Sequence, residues 1–435
     1  MSNQPVMALL LNWRLHVFVL LIAVLCEWIG IIRVPIGIGT LVLLPLLYAF
    51  VMALLLNPNV VAPASRLISR EQCQVATYAV ILSVMPFIAK FGTTIGPKVS
   101  EIIAAGPALI LQEIGNVATA LFALPVAVLL FNMGREAVGA THSIAREPNI
   151  ALIADKYGLK SPEGIGVMGV YVMGTLFGAI YFSLMAGVVG SWGIFDMRAL
   201  AMACGIGSGS MMGACSAALG ELVPAEKESI AAFAASSNLL TYATGLFVSL
   251  FIALPFTNWF YKVLRKLRPQ REAAGHGLHG AGMEAPEQPA PLSLQTSFIL
   301  LAVICAVLLV SNWVGQKVNP LEGLPGMLML YGCCVGGMLI RHAVPLGGIP
   351  AIAWVSILGI VISLPQFPGN AYVLESAGKL GVLQLITPVL AYAGFAISQM
   401  EVDLFKRAGF KIAVVALLTF TGTFIGSVVI ADVML

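Results

Sequence analysis

Gly205-Ile-Gly-Ser-Gly-Ser210 interrupts an apolar run that extends from Ala199 to Leu219. Each Gly costs about 1 kcal/mol relative to Ala inside a helix, so this run is a poor continuous helix. Unwound backbone at membrane depth is tolerated only where it is buried in protein or lines a wet cavity. Transporters hold substrates and ions on such broken elements. Gly207, Ser208, Gly209 and Ser210 are therefore candidate substrate ligands. Free N–H groups at a helix start suit anions, and free carbonyls at a helix end suit cations.

A second small, polar stretch runs from Gly139 to Ser143 and on to Asn149. Thr141, His142, Ser143 and Asn149 offer hydroxyl, imidazole and amide groups to a substrate. Arg146, with His142, suits an anion, because a guanidinium grips a carboxylate through two hydrogen bonds. Arg146 fits equally as one of the inner positive charges that set topology. Ser236, Ser237, Asn238 and Thr241 suit sodium ligation or substrate hydrogen bonds. Such groups also join helices, at about 0.6 kcal/mol each.

Glu113 and Asn116 stand three residues apart and so share a helix face. A carboxylate at membrane depth is costly unless it faces a cavity or a partner. The pair is a candidate for the coupling ion, either a proton or a cation. The alternative is a structural hydrogen bond to a neighbouring helix. Glu27, beside Trp28 at the outer end of an apolar run, reads as structural or interfacial.

The elements that position these groups are membrane helices. The chain has 435 residues, 59% hydrophobic and 10% charged, with a mean hydropathy of +0.96. Soluble domains carry about 25% charged residues. A net charge of +3 gives no footprint for nucleic acid. Apolar stretches predict helices near 16–33, 36–56, 75–92, 106–132, 165–190, 230–257, 293–312, 324–341, 349–364, 380–399 and 410–432. That is an all-α polytopic fold of about 11 transmembrane helices, plus two re-entrant hairpins. The seven cysteines are scattered, mostly in apolar runs, and read as buried thiols, neither disulfides nor a metal site.

Residues 262–292 form a linker whose composition predicts disorder. Its opening charges, Lys262, Arg265, Lys266, Arg268 and Arg271, mark it as cytoplasmic. Threading 199–219 as a hairpin from the outer side then puts most Lys and Arg inside. The N-terminus becomes cytoplasmic and the C-terminus periplasmic. The hairpin pairs 75–92/106–132 and 380–399/410–432 come out in opposite orientation, the pattern of an inverted-topology repeat.

Three resemblances follow from these residues. Gly139-Ala-Thr-His-Ser143, with Ile150 to Leu159 and the Gly-rich helix after it, resembles the Gly-Gly-His-Gly-Thr hairpin of sodium/glutamate symporters. The Gly-Gly pair is absent here, so glutamate is not carried over as substrate. Gly205 to Ser210, followed by Ala231-Ala-Phe-Ala-Ala-Ser-Ser-Asn-Leu-Leu240, resembles the Gly/Ser loop and helix of bacterial lysine exporters. Thr241 and Tyr242 stand where those exporters place a basic residue, so lysine is not implied. The whole chain, including Asn12 to His16, Arg146 to Asn149 and Ser161 to Gly164, resembles an uncharacterised bacterial inner-membrane family of unknown function. The transporter resemblances, extended to the 2-hydroxycarboxylate (citrate) carriers, imply inverted repeats and an elevator-type core on a dimeric scaffold.

The expected organisation is scaffold helices over 1–105, a transport core over 106–261, the linker over 262–292, and an inverted scaffold half over 293–435. The expected activity is ion-coupled secondary transport of a small polar organic solute, an organic anion or amino acid, across the inner membrane. Alternatives are an amino-acid or metabolite exporter and a channel. Catalysis is not expected, because no nucleophile elbow, HExxH or paired catalytic carboxylates occur. No cofactor is expected beyond sodium or a proton as coupling ion. The expected partners are the solute, the bilayer and a second copy of the chain.

Overall fold

Several helix starts follow local chemistry. Ser69 and Gln72 form a reciprocal capping box at the start of Arg70–Ile95. Ser161 caps Pro162–Met173, and Ser293 caps Leu294–Gln316. Asp196 caps Met197–Gly205, and its carboxylate also accepts from the Arg198 side chain. Those Arg198 hydrogen bonds are the main reason its carboxyl is held below its ordinary range. The modest support it lends this helix start is therefore present above the usual carboxylate range and lost as pH falls through the lowered one.

The computed structural model describes residues 13–36, 39–144, 147–158, 161–267, 292–343 and 351–435. Among the described residues six helices are long and apolar enough to cross a membrane: Arg70–Ala104, Gly106–Leu130, Pro162–Gly190, Leu294–Gln316, Pro320–Ala343 and Gly409–Met434. Asn370–Gly378 and Val382–Ala396, bent by 60° at a short break, make a seventh if they act together. The chain is a multi-pass helical membrane protein.

One stretch departs from the all-α expectation. Ile32–Ile36 and Gly39–Leu43 form an antiparallel strand pair, with Arg33 opposite Val42 and Pro35 opposite Thr40. The helix predicted over 36–56 therefore begins only at Pro45 and ends at Leu55. Ile32, Val34, Ile36 and Val42 are β-branched and favour extended backbone. Pro35 opposes helix continuation, whereas Pro45 suits a first helical position.

The chain divides into two compact units. One comprises Met1–Ile103, Ser216–Ala235 and Pro289–Gln399. In it Val382–Ala396 packs on Pro45–Leu55 and on Arg70–Ile95, and Ala351–Ser363 packs on Arg70–Ile95. Gly92 and Gly359 allow main chains to touch: a Cβ on Gly92 would stand 2.6 Å from the Ser356 carbonyl oxygen. The end of Val382–Ala396 is closed by the buried Asn57 amide, which reaches the Gly394, Phe395 and Ile397 carbonyls at 2.9–3.0 Å.

The other unit comprises Ala104–Cys215, Ser236–Gln288 and Met400–Leu435. Its last helix is broken at Gly409, whose φ of 68° and ψ of 178° are not helical. Glu136–Thr141 packs on Pro162–Met173 with reciprocal glycines. A Cβ on Gly139 would overlap the Glu163 carbonyl oxygen, and one on Gly166 would overlap that of Glu136. Leu254–Leu267 carries Lys262, Arg265 and Lys266 within the helix, so the linker starts later than its charges suggest. Arg265 reaches back to the Asn132 side chain at 3.0 Å and to the Met133 carbonyl.

Overpacking a close approach costs about 1–3 kcal/mol or more. Gly139→Ala and Gly166→Ala should each lower the Tm of the purified protein in detergent. Gly332→Ala, with nothing within 4 Å, should leave Tm unchanged or raise it.

Candidate functional site

The span Gly106–Leu130 is a broken helix. Gly106–Leu111 tightens into a 3-10 turn over Gln112–Gly115, resumes as Asn116–Pro125 and ends in a π-helical turn over Val126–Leu130. A tightened turn disturbs the i→i−4 ladder and leaves carbonyls to be satisfied otherwise. The Ser427 hydroxyl donates to the Gln112 carbonyl at 2.9 Å. Gln112 and Glu113 are buried in this turn, 0% and 1% exposed.

The Gly/Ser segment is also a break. Met197–Gly205 stops, Ile206 to Ser208 turn, and Gly209–Leu222 begins. The turn brings Cys204 and Cys215 together as a disulfide, with Cα atoms 5.4 Å apart. This corrects the reading of all seven cysteines as thiols. The two are eleven positions apart in sequence, and the reversal at Gly205–Gly207 makes them neighbours. Cys26, Cys73, Cys305, Cys333 and Cys334 are free and buried.

One face of Lys227–Val248 joins the two breaks. Asn238 Nδ2 donates to the Gly205 carbonyl at 2.7 Å and the Gly207 carbonyl at 2.8 Å. Ser237 Oγ donates to the Met202 carbonyl at 2.6 Å, and Gln112 Nε2 donates to Ser237 Oγ at 2.5 Å. Thr241 Oγ1 bonds Glu113 Oε1 and also reaches the Ser237 carbonyl at 2.8 Å. The structure thus brings Glu113, Ser237, Asn238, Thr241 and Gly207 into one cluster.

Proton counting orients the cluster. The Met202 carbonyl can only accept, so it takes the single Ser237 hydroxyl proton. Ser237 Oγ must then accept from Gln112, which fixes that amide's orientation. Gln112 Oε1 is left buried with no hydrogen-bond partner. Thr241 also has one proton. It donates to Glu113 when that group is ionised, or to the Ser237 carbonyl while accepting from a protonated Glu113.

The other predicted residues fall in different places. Ser208 and Ser210 are half-buried with hydroxyls 3.1 Å apart, and Gly209 starts its helix. Ser236 is half-buried on the same helix as Ser237. Asn116 opens Asn116–Pro125, but its side chain lies outside the description. Arg146 lies outside the described residues.

Thr141, His142, Ser143 and Asn149 form a second buried cluster. Thr141 donates to the Ala137 carbonyl at 2.8 Å, and Asn149 donates to Ser143. His142 Nδ1 lies 2.9 Å from the Gly139 carbonyl. The carbonyl only accepts, so Nδ1 carries the proton, and Nε2 of the neutral ring is an acceptor. It has no hydrogen-bond partner, and neither does Asn149 Oδ1.

Sequence reasoning missed what holds the two clusters. Thr419, Thr423 and Ser427, spaced four apart, line one face of Gly409–Met434. Thr419 donates to the Ala140 carbonyl at 3.1 Å, Thr423 meets Thr119 at 2.7 Å, and Ser427 serves Gln112. Eight residues of helix set the end contacts about 12 Å apart along its axis. Gly422 and Gly426 admit the main chain around Gly115 and Ala118. The i, i+4, i+8 hydroxyls with this Gly-xxx-Gly pair were the available signal.

Together these features define a multi-pass helical membrane protein with a hydrogen-bonded polar interior built around two helix breaks. A family model described as "Protein of unknown function (DUF3100)" matches residues 24–263. The chain belongs to that family. No curated protein and no solved structure matches it.

Two measurements check this site. Alkylation of the denatured protein should modify five cysteines before reduction and all seven after it. Asn238→Ala removes two hydrogen bonds to buried carbonyls, at about 0.5–1.5 kcal/mol each. It should lower the Tm of the purified protein.

Proposed function

We propose that this protein is a secondary transporter. It couples a sodium or proton gradient to movement of a small polar organic solute, an organic anion or amino acid, across the bacterial inner membrane. The observation that carries the reading is the clamp on the helix break at Gly205–Gly207. One helix face holds these carbonyls through Asn238 and Ser237, and presents Thr241 to the buried carboxylate of Glu113. Buried ionisable groups and broken helices at membrane depth are the usual makings of ion and substrate sites.

In this reading 197–222 and the region around 139–149 are re-entrant hairpins entering from opposite faces. Glu113, Asn116 and the Ser236–Thr241 face serve the coupling ion. Thr141 to Ser143, Asn149, Arg146 and Gly207 to Ser210 serve the solute. About 11 membrane segments, arranged as inverted repeats, carry an elevator-type core in a homodimer. The N-terminus is cytoplasmic and the C-terminus periplasmic, as the Lys and Arg distribution favours. No enzymatic step and no cofactor beyond the coupling ion is assigned.

Proteoliposomes test the reading. A screen of metabolites by thermal shift, with and without sodium, first identifies a ligand, since binding raises Tm by mass action. Uptake of that ligand should saturate and follow an imposed sodium or pH gradient. Glu113→Gln removes the ionisable group of the cluster and should cut coupled uptake about tenfold or more. Unsaturable, gradient-independent flux would instead indicate a channel. Undiminished coupled uptake in both Glu113→Gln and Asn238→Ala would refute the assigned site.

A further inference from the structure

A second buried carboxylate lies outside this cluster. Glu27 sits two residues before the end of Trp13–Ile29 and is 7% exposed. Thr387 Oγ1 donates to Glu27 Oε1 at 2.6 Å, and Gln384 Nε2 donates to Oε2 at 3.1 Å. Both donors are neutral. Among the described residues no ion pair involves Glu27. A buried carboxylate lacking a cation is costly as an anion, and a proton relieves that cost.

The surroundings are shaped for the carboxyl group. A Cβ on Gly315 would overlap Glu27 Oε2, and one on Gly381 would overlap the Gln384 and Gln316 side-chain amides. Gln316 Nε2 donates to Gln384 Oε1 at 2.8 Å, and Gln316 is exposed. A chain of amides thus leads from the buried carboxyl to water. Trp28, 75% exposed, marks the same helix end as interfacial.

The Thr387 hydroxyl has one proton and two acceptors within reach: Glu27 Oε1, and the Leu383 carbonyl at 3.0 Å. With Glu27 ionised, the hydroxyl donates to it. With Glu27 protonated, the acid O–H donates to Thr387 Oγ1, and the hydroxyl turns to the Leu383 carbonyl. Both states are fully hydrogen-bonded at Thr387 without moving a heavy atom.

We infer that Glu27, with Thr387 and Gln384, is a proton-binding site of the first unit that exchanges with water at the Trp28 end of its helix. A proton from water adds to a carboxylate oxygen, giving the neutral acid, and leaves by the reverse step. The titratable and charged groups on the elements packed around it are Arg14, His16 and Cys26 on its own helix, Tyr48 on Pro45–Leu55, Tyr392 on Val382–Ala396, and Cys305 on Leu294–Gln316 with Lys317 just past it. His16 is bonded to Tyr392 at 2.7 Å. This site stands independently of the transport reading.

Infrared difference spectroscopy of the full chain in lipid nanodiscs, recorded through a pH titration, tests it. The wild type should show a protonated-carboxyl carbonyl band that shifts in D2O and vanishes as pH rises. Glu27→Gln should remove that band while retaining the fold, because the amide N–H takes the place of the acid O–H. Thr387→Val, which keeps the shape but removes a donor to the anion, should move the midpoint up by about one pH unit. A titrating band left undiminished by Glu27→Gln, or the lack of any titrating band, would overturn the site. An unmoved midpoint in Thr387→Val would overturn the role of Thr387.

Discussion

Backbone carbonyls released inside an apolar protein must be satisfied, and in the second unit one side-chain amide satisfies two of them. Asn238 binds the carbonyls of Gly205 and Gly207 where Met197–Gly205 stops. Both glycines are buried, and a buried carbonyl cut off from water needs such a partner. Its neighbour Ser237 secures the turn before, and Thr241, one turn on, meets Glu113. The disulfide Cys204–Cys215 spans the same reversal. The break, its clamp and the buried carboxylate are therefore one hydrogen-bonded object.

The same constraint recurs at the second break. Gln112–Gly115 tightens out of α-helical geometry, and Ser427 takes the carbonyl that results. Glycines at 115, 422 and 426 let the main chains approach closely enough for this hydroxyl to reach. Close packing and polar satisfaction thus depend on each other, since a helix face held further off could not serve the carbonyl.

The two units use one chemical device. Glu113 meets Thr241, whose hydroxyl also reaches the carbonyl four residues earlier, and Glu27 meets Thr387 in the same way. A hydroxyl between a carboxyl and its own helix backbone can serve either protonation state. The neighbouring glutamines differ in direction. Gln384 donates to its carboxylate, whereas Gln112 is committed to Ser237 and leaves an acceptor unsatisfied. Gln112 Oε1 and His142 Nε2, two buried atoms of the second unit with no hydrogen-bond partner, are both acceptors.

Composition and apolar run length alone determine that this chain crosses a membrane, because burying so much apolar surface leaves no other solvent for it. Glycine spacing at 205–209 is enough to locate a helix break, since the local cost of Gly does not depend on partners. The intramembrane Glu113 and the Ser236–Asn238 face are legible for the same reason: polar groups are conspicuous in apolar runs. Which groups meet was not legible. The pairings of Gln112 with Ser237, Ser427 with Gln112, and Glu27 with Thr387 join residues 125, 315 and 360 positions apart. The strand pair at 32–43 and the Cys204–Cys215 bridge likewise depended on how the chain turns back on itself. Local sequence determines where backbone and charge cannot remain unsatisfied, and only tertiary structure decides what satisfies them, because hydrogen bonds act over about 3 Å and so depend on where distant segments are packed.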